Sequence, residues 1–300
     1  MDMTQNKCCR HGASLRRRRR RRRKILRSII FSCSIIAVAV FVAVGIRMIT
    51  SGDGRTNRYD VEAGNNTYDN AVIENSKISE KNKIQNNQSM LDDIMNSTQY
   101  PKQLKDLALK NEEALEFVFD YPAEHVKENT IDLTEEASMD SVPLFVQWDK
   151  RWGYEKYSGN FFAASGCGPT TLSMVVVYLT HNRDASPIAV AKYSKEAGYS
   201  VDGSGSSWTL ISEGCMHYGV KAKAVALDES RMKAELDEGH PIVVNVGPGD
   251  FTDTGHFMVI TGYDDEGFSI NDPNSIEKSG KRWLFKNISS QIRAVWSMYV

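Results

Sequence analysis

Two apolar periodicities divide the second half of the chain into helix and strand. From Thr171, the residues Leu172, Met174, Val175, Val176, Tyr178 and Leu179 recur with helical spacing, and Pro169 suits the first turn, where its missing N–H costs nothing. The run Ile242, Val243, Val244 predicts a buried strand over 241–246. A second buried strand opens at His256 and runs through Phe257, Met258, Val259 and Ile260; residues 264–267 form a hairpin turn, and a return strand over 267–271 ends at Asp272 and Pro273. Helices are expected over 208–218, capped by Ser206 or Ser207, and over 229–238, capped by Asp228 and stopped by Gly239. Together these give an α+β domain over 142–300, an ordinary single-domain size.

Upstream the pattern changes three times. Residues 29–46 are uncharged and mostly apolar, and eighteen residues in a helix rise about 27 Å, close to a hydrocarbon core of about 30 Å. Residues 47–96 are rich in Asn, Ser, Asp, Glu and Lys and are expected to form a flexible, disordered stem. Residues 97–141 turn helical, with Leu104, Leu107, Leu115 and Val118 on an apolar face and Pro101 and Pro122 as punctuation. This segment reads as an integral helical part of the domain; a pro-segment covering the cleft is the rival reading.

Charge refines the picture. The first fifty residues hold 13 Lys and Arg against one Asp, with an arginine run over 16–23, so residues 1–28 form a polybasic tail. Beside an apolar stretch such a run is a topology signal that keeps the tail cytoplasmic. Residues 29–46 are then a single-pass signal anchor, and the bulk of the chain is extracellular; cleavage near Ala43 is the alternative. The remainder carries 24 basic against 37 acidic residues, which argues against a nucleic-acid partner.

The chemistry centres on Cys167, between Gly166 and Gly168 at the start of the predicted helix. A helix N-terminus favours thiolate over thiol, and the flanking glycines are expected to leave room for a substrate backbone. His256, at the strand mouth, is the candidate base. Folding the hairpin brings Asp272 near it, in position to orient the imidazole. The amide of Gln147, with the backbone N–H of Cys167, is the candidate oxyanion hole. His217 and His240 are the alternative bases. Cys215 reads as a small buried residue, with a Cys167–Cys215 disulfide as the rival. Trp148, Trp152, Trp208 and Tyr263 are candidate cleft aromatics, and residues 203–207 a candidate substrate lip. No Cys-x-x-Cys or His-Glu-x-x-His spacing occurs, so no metal or cofactor is implied.

The order Gln147, Cys167, His256, Asp272 resembles the papain-like cysteine peptidases. More closely, from Pro143 onward the chain resembles the bacterial bacteriocin-processing, double-glycine-leader peptidases, family thirty-nine of the cysteine peptidases. The resemblance rests on Gln147-Trp148-Asp149, on Gly166 to Thr170, on Gly255-His256-Phe257 and on Asn271 to Ser275. It implies a papain-like fold, with the nucleophile on a helix packed on an antiparallel sheet, and hydrolysis of peptide bonds in a peptide or protein substrate. Those processing enzymes are usually fused to a transporter and an ATPase; no Gly-x-x-x-x-Gly-Lys loop occurs here, so the likeness is to stand-alone relatives. Hydrolysis of cell-wall peptides with the same residues, or a catalytically idle binding module of the same fold, are the competing expectations.

Overall fold

The computed structural model describes residues 66–300, with side chains from residue 79. The expected polybasic tail, the expected anchor over 29–46 and the first part of the expected stem lie outside the described residues. Among the described residues no helix is long and apolar enough to cross a membrane.

The expected disordered stem is corrected from its middle onward: Asn66–Asn96 is one helix, α1. Its polar composition masked the fact that residues 66–96 contain neither Gly nor Pro, so nothing interrupts helical hydrogen bonding. Its last turns dock Met90, Leu91 and Ile94 into an apolar cluster with Leu104, Leu107, Leu115, Phe117 and Val118. The four leucine and valine positions expected to face inward are all buried. They lie on several short pieces rather than one helix: α2 (Lys102–Lys110), a 3-10 turn at Glu112–Ala114 and a helix at Leu115–Phe119. Phe161 and Ala163 complete the cluster, so the segment is built onto the rest of the chain behind Cys167, and none of residues 97–141 lines the cleft described below.

The C-terminal part of the chain is helix on sheet. Helix α3 (Cys167–Thr180) starts at the predicted cysteine, and α4 (Pro187–Glu196) packs beside it. The strands are β1 (Lys221–Ala224), β2 (Ile242–Val246), β3 (His256–Asp264), β4 (Gly267–Asn271), β5 (Arg282–Trp283) and β6 (Ile292–Tyr299). They form one six-stranded sheet, ordered β1-β6-β2-β3-β4-β5, with every pairing antiparallel.

Both faces of the central strands are covered, which is why β2 is buried at all five positions instead of alternating. Val243, Phe257 and Val259 meet Leu172, Val175 and Val176 of α3 on one face. Ile242, Val244, Met258 and Ile260 meet Met232 and Leu236 of helix α5 (Glu229–Asp237) on the other. Asp228 caps α5 as expected, accepting from Arg231 N.

The single helix expected over 208–218 is two short pieces, Thr209–Ser212 and a 3-10 turn Gly214–Tyr218. The break falls at Glu213, with φ −127°, and Gly214 opens the second piece, where a Cβ would lie 3.1 Å from the Tyr199 ring. Ser207 Oγ still accepts from Thr209 N at 3.3 Å, close to its expected capping role.

Candidate active site

Three elements bring the site together. Helix α3 carries Cys167 at its first position, β3 begins at His256, and β4 ends just before Asp272. The helix and the histidine strand are fastened to each other by Thr171, whose buried Oγ1 donates to Phe257 O at 3.1 Å. Strand β2 adds a second fastening, with Asn245 Nδ2 donating to His256 O at 3.2 Å. These two polar side chains were not singled out in the sequence, because a Thr inside an apolar helix and an Asn inside an apolar strand show only as breaks in hydrophobicity.

His256 Nε2 donates to Asp272 Oδ1 at 2.7 Å, and both residues are buried, Asp272 completely. The same oxygen accepts from Asn274 N at 2.8 Å, while Oδ2 is buried without a hydrogen-bond partner. With Nε2 engaged by the carboxylate, Nδ1 is the ring nitrogen left for the sulfur.

Burial by itself pushes the Cys167 thiol up. The hydrogen bond and positive charge of His256, with the backbone groups of Phe257 and Gly168, outweigh it and hold the thiol below its ordinary value. Burial likewise opposes charge on His256, but the Asp272 carboxylate and the neighbouring sulfur raise its pKa above the usual imidazole value. The two shifts belong to one coupled pair and both favour thiolate beside imidazolium.

The glycines flanking Cys167 serve packing, not substrate access as expected. A Cβ on Gly166 would lie 2.6 Å from the Phe162 ring, and one on Gly168 would lie 2.7 Å from Ser206 Cβ.

Gln147 is buried. Its Nε2 donates to Ala163 O at 2.7 Å and its backbone N–H to Pro273 O at 2.7 Å, so it ties the lead-in to α3 to the loop after Asp272. Ala163 O fixes the amide orientation, because a flipped amide would set oxygen against oxygen. Gln147 Oε1 is buried without a partner, and Nε2 keeps a second N–H beyond the one given to Ala163 O.

The sulfur of Cys167 opens on a cleft of about 690 Å³. One wall is the hairpin carrying Gly203, Ser204, Gly205 and Ser206, the expected lip; the other is formed by Val246, Gly247, Thr254 and Gly255. Of the four candidate aromatics only Trp208 lines it. Trp152 is in the core, 1% exposed, where its Nε1 donates to Val146 O. Trp148 Nε1 donates to Asn274 O, and Tyr263 is an exposed partner of Asp237 on α5. The alternative bases are elsewhere: His240 Nδ1 pairs with Glu235 Oε2 at 3.0 Å, and His217 stacks on Tyr193 with ring centroids 4.0 Å apart. Cys215 is buried and free, so the disulfide reading is excluded, and burial pushes its thiol up to about 11.

The description of the Peptidase_C39 like family matches residues 139–300. Two solved structures are similar. One is the peptidase domain of Streptococcus ComA, a bi-functional ABC transporter involved in a quorum-sensing pathway: 20% identity, 45% of this chain and 90% of that chain covered, TM-score 0.36. The other is a putative C39-like peptidase from Bacillus anthracis: 18% identity, 53% and 95% covered, TM-score 0.33. No curated protein matches the chain.

Proposed function

The chain belongs to the Peptidase_C39 like family through residues 139–300, and from that premise we propose that it hydrolyses peptide bonds through an acyl-enzyme on Cys167. The observation that carries this reading is the buried His256 Nε2 to Asp272 Oδ1 hydrogen bond beside a thiol of lowered pKa that opens on a cleft. In the first half-reaction Cys167 Sγ attacks the scissile carbonyl carbon. The C–N bond breaks as the imidazolium of His256 gives its proton to the leaving amine, and a thioester remains. In the second, His256 takes a proton from water, which attacks the thioester; the acid leaves and the sulfur regains its starting state. Asp272 keeps the ring oriented and stabilises its charge throughout. The Cys167 backbone N–H, at a helix end without an intrahelical acceptor, and the second N–H of Gln147 Nε2 are the donors assigned to the oxyanion.

The substrate is a peptide or protein segment held in extended form between the two cleft walls. On the sequence of residues 16–47, the enzyme is proposed to sit in the cell membrane by one N-terminal helix, with the domain outside; protease accessibility of residues 97–300 on intact cells tests that. The activity is tested by incubating the protein with a diverse peptide mixture. Products that vanish with Cys167→Ala support hydrolysis at this site, and products that persist in that variant contradict it.

A further inference from the structure

Residues 102–125 precede the family-matching region, yet two of their side chains hold the loop that carries Asp272. Asn111, between α2 and the following 3-10 turn, divides its amide between two tasks. Its Oδ1 accepts from Glu113 N at 3.0 Å, while Nδ2 donates to Asn274 O at 2.9 Å and to Asn274 Oδ1 at 3.0 Å. Glu113 then reaches the start of the four-residue helix α6 (Ile276–Ser279). One carboxylate oxygen accepts from Ile276 N at 2.7 Å and Glu277 N at 3.0 Å, and the other from the Ser275 hydroxyl.

A one-turn helix cannot stabilise itself, and its free N–H groups need partners. Here much of that need is met by a carboxylate 163 residues earlier in the chain, where the helix end also favours negative charge. The loop so held is the one that sets Asp272. Asn274 N donates to Asp272 Oδ1, and Ser279 Oγ of α6 accepts from Asp272 N at 2.9 Å. The Asn111 bonds therefore hold Asn274, whose N–H meets the carboxylate itself, and the Glu113 bonds hold Ser275, Ile276 and Glu277, in the turn whose Ser275 N and Ser279 Oγ bind the Asp272 backbone.

We infer that Asn111 and Glu113 are positioning residues for the catalytic set, fixing the 272–277 loop so that Asp272 Oδ1 meets His256 Nε2. The helical segment before the family-matching region is thus part of the working enzyme. This inference rests on the reading of Cys167, His256 and Asp272 as catalytic, and neither residue touches substrate.

The test uses the full-length chain with Glu113→Ala, Glu113→Gln and, as a stability control, Leu107→Ala, which opens the same N-terminal cluster without touching the loop. Two quantities are read: the pH midpoint of Cys167 alkylation by iodoacetamide, and kcat against KM on a cleaved peptide. Glu113→Ala is expected to raise the alkylation midpoint and to lower kcat by roughly tenfold to a hundredfold at nearly constant KM, the scale of a misplaced catalytic group. Glu113→Gln, which keeps an acceptor on the loop, is expected to recover part of both. Leu107→Ala is expected to lower the Tm while leaving the midpoint in place. A folded Glu113→Ala protein with wild-type midpoint and kcat overturns the inference, as does a Leu107→Ala protein that shifts the midpoint equally. Wild-type protein alone decides the underlying reading: a Cys167 no more reactive at neutral pH than a free thiol overturns the catalytic set, and this inference with it.

Discussion

Replacing Asp272 by Asn isolates the electrostatic part of the site. The carboxylate is fully buried, accepts from His256 Nε2 at 2.7 Å and from Asn274 N at 2.8 Å, and is the main counterweight to the burial that would neutralise the imidazole. Asn is nearly isosteric and keeps one acceptor oxygen, so the geometry of the loop is retained while the charge is removed. A net hydrogen bond to a charged group contributes about 1.5–3 kcal/mol, which corresponds to about one to two pKa units. The sign follows from the coupling. Without the carboxylate the imidazolium is less stable, so the pKa of His256 falls and that of Cys167 rises. The midpoint of Cys167 ionisation should therefore move up, by at most about one to two pH units. Alkylation of Cys167 by iodoacetamide, followed by mass spectrometry from pH 5 to 9, reads that midpoint without any substrate. A midpoint unchanged in Asp272→Asn would refute the argument that this carboxylate sustains the ion pair.

Three further outcomes follow from the same geometry. Activity should trace a bell in pH, rising through the lowered pKa of Cys167 and falling through the raised pKa of His256; kcat/KM against pH checks this, and a single rising limb centred near an ordinary thiol value would contradict it. Thr171→Val removes the buried Oγ1 bond to Phe257 O, so it should cost about 0.5–1.5 kcal/mol in denaturant unfolding; no loss would show that this bond does not fasten α3 to β3. Glu235 accepts from His240, Ser297 and Lys223, and its pKa is depressed to about 2, with the His240 hydrogen bond as the largest cause. Because the folded value is depressed, the stability it supplies is present above its ordinary value and is lost as pH falls towards 2. In Glu235→Gln that acid-dependent component should disappear from the Tm against pH curve, and an unchanged curve would remove Glu235 from the account.

The helix of Cys167 and the hairpin of His256 and Asp272 were legible because each is specified locally. A 3.6-residue period marks α3, and a buried apolar run followed by an Asp-Asp-Glu-Gly turn marks β3 and β4. The same logic placed the cap of α5 at Asp228. What failed depended on partners distant in sequence. The polar composition of residues 66–96 suggested coil, while only Met90, Leu91 and Ile94 at its end reveal a docked helix. The glycines around Cys167 are explained by Phe162 and by Ser206, a residue 38 positions downstream, rather than by substrate. Trp152 looked like a cleft aromatic but stacks edge-on against Phe145 in the core, with centroids 5.6 Å apart. Asn111 and Glu113 carried no signal at all, since a polar pair ending a helix is ordinary until its loop partners are seen.

The most direct test of the central claim is to trap the thioester. A cleavable peptide, found first in the mixture digest, is mixed with the protein, quenched in acid within the first turnovers and analysed as intact protein and as digested peptides. The account predicts an adduct equal in mass to the N-terminal cleavage fragment less one water, located on Cys167, absent from Cys167→Ala and accumulating when deacylation is slowed. Peptide cleavage that proceeds in Cys167→Ala, or an adduct on any other residue, would contradict it.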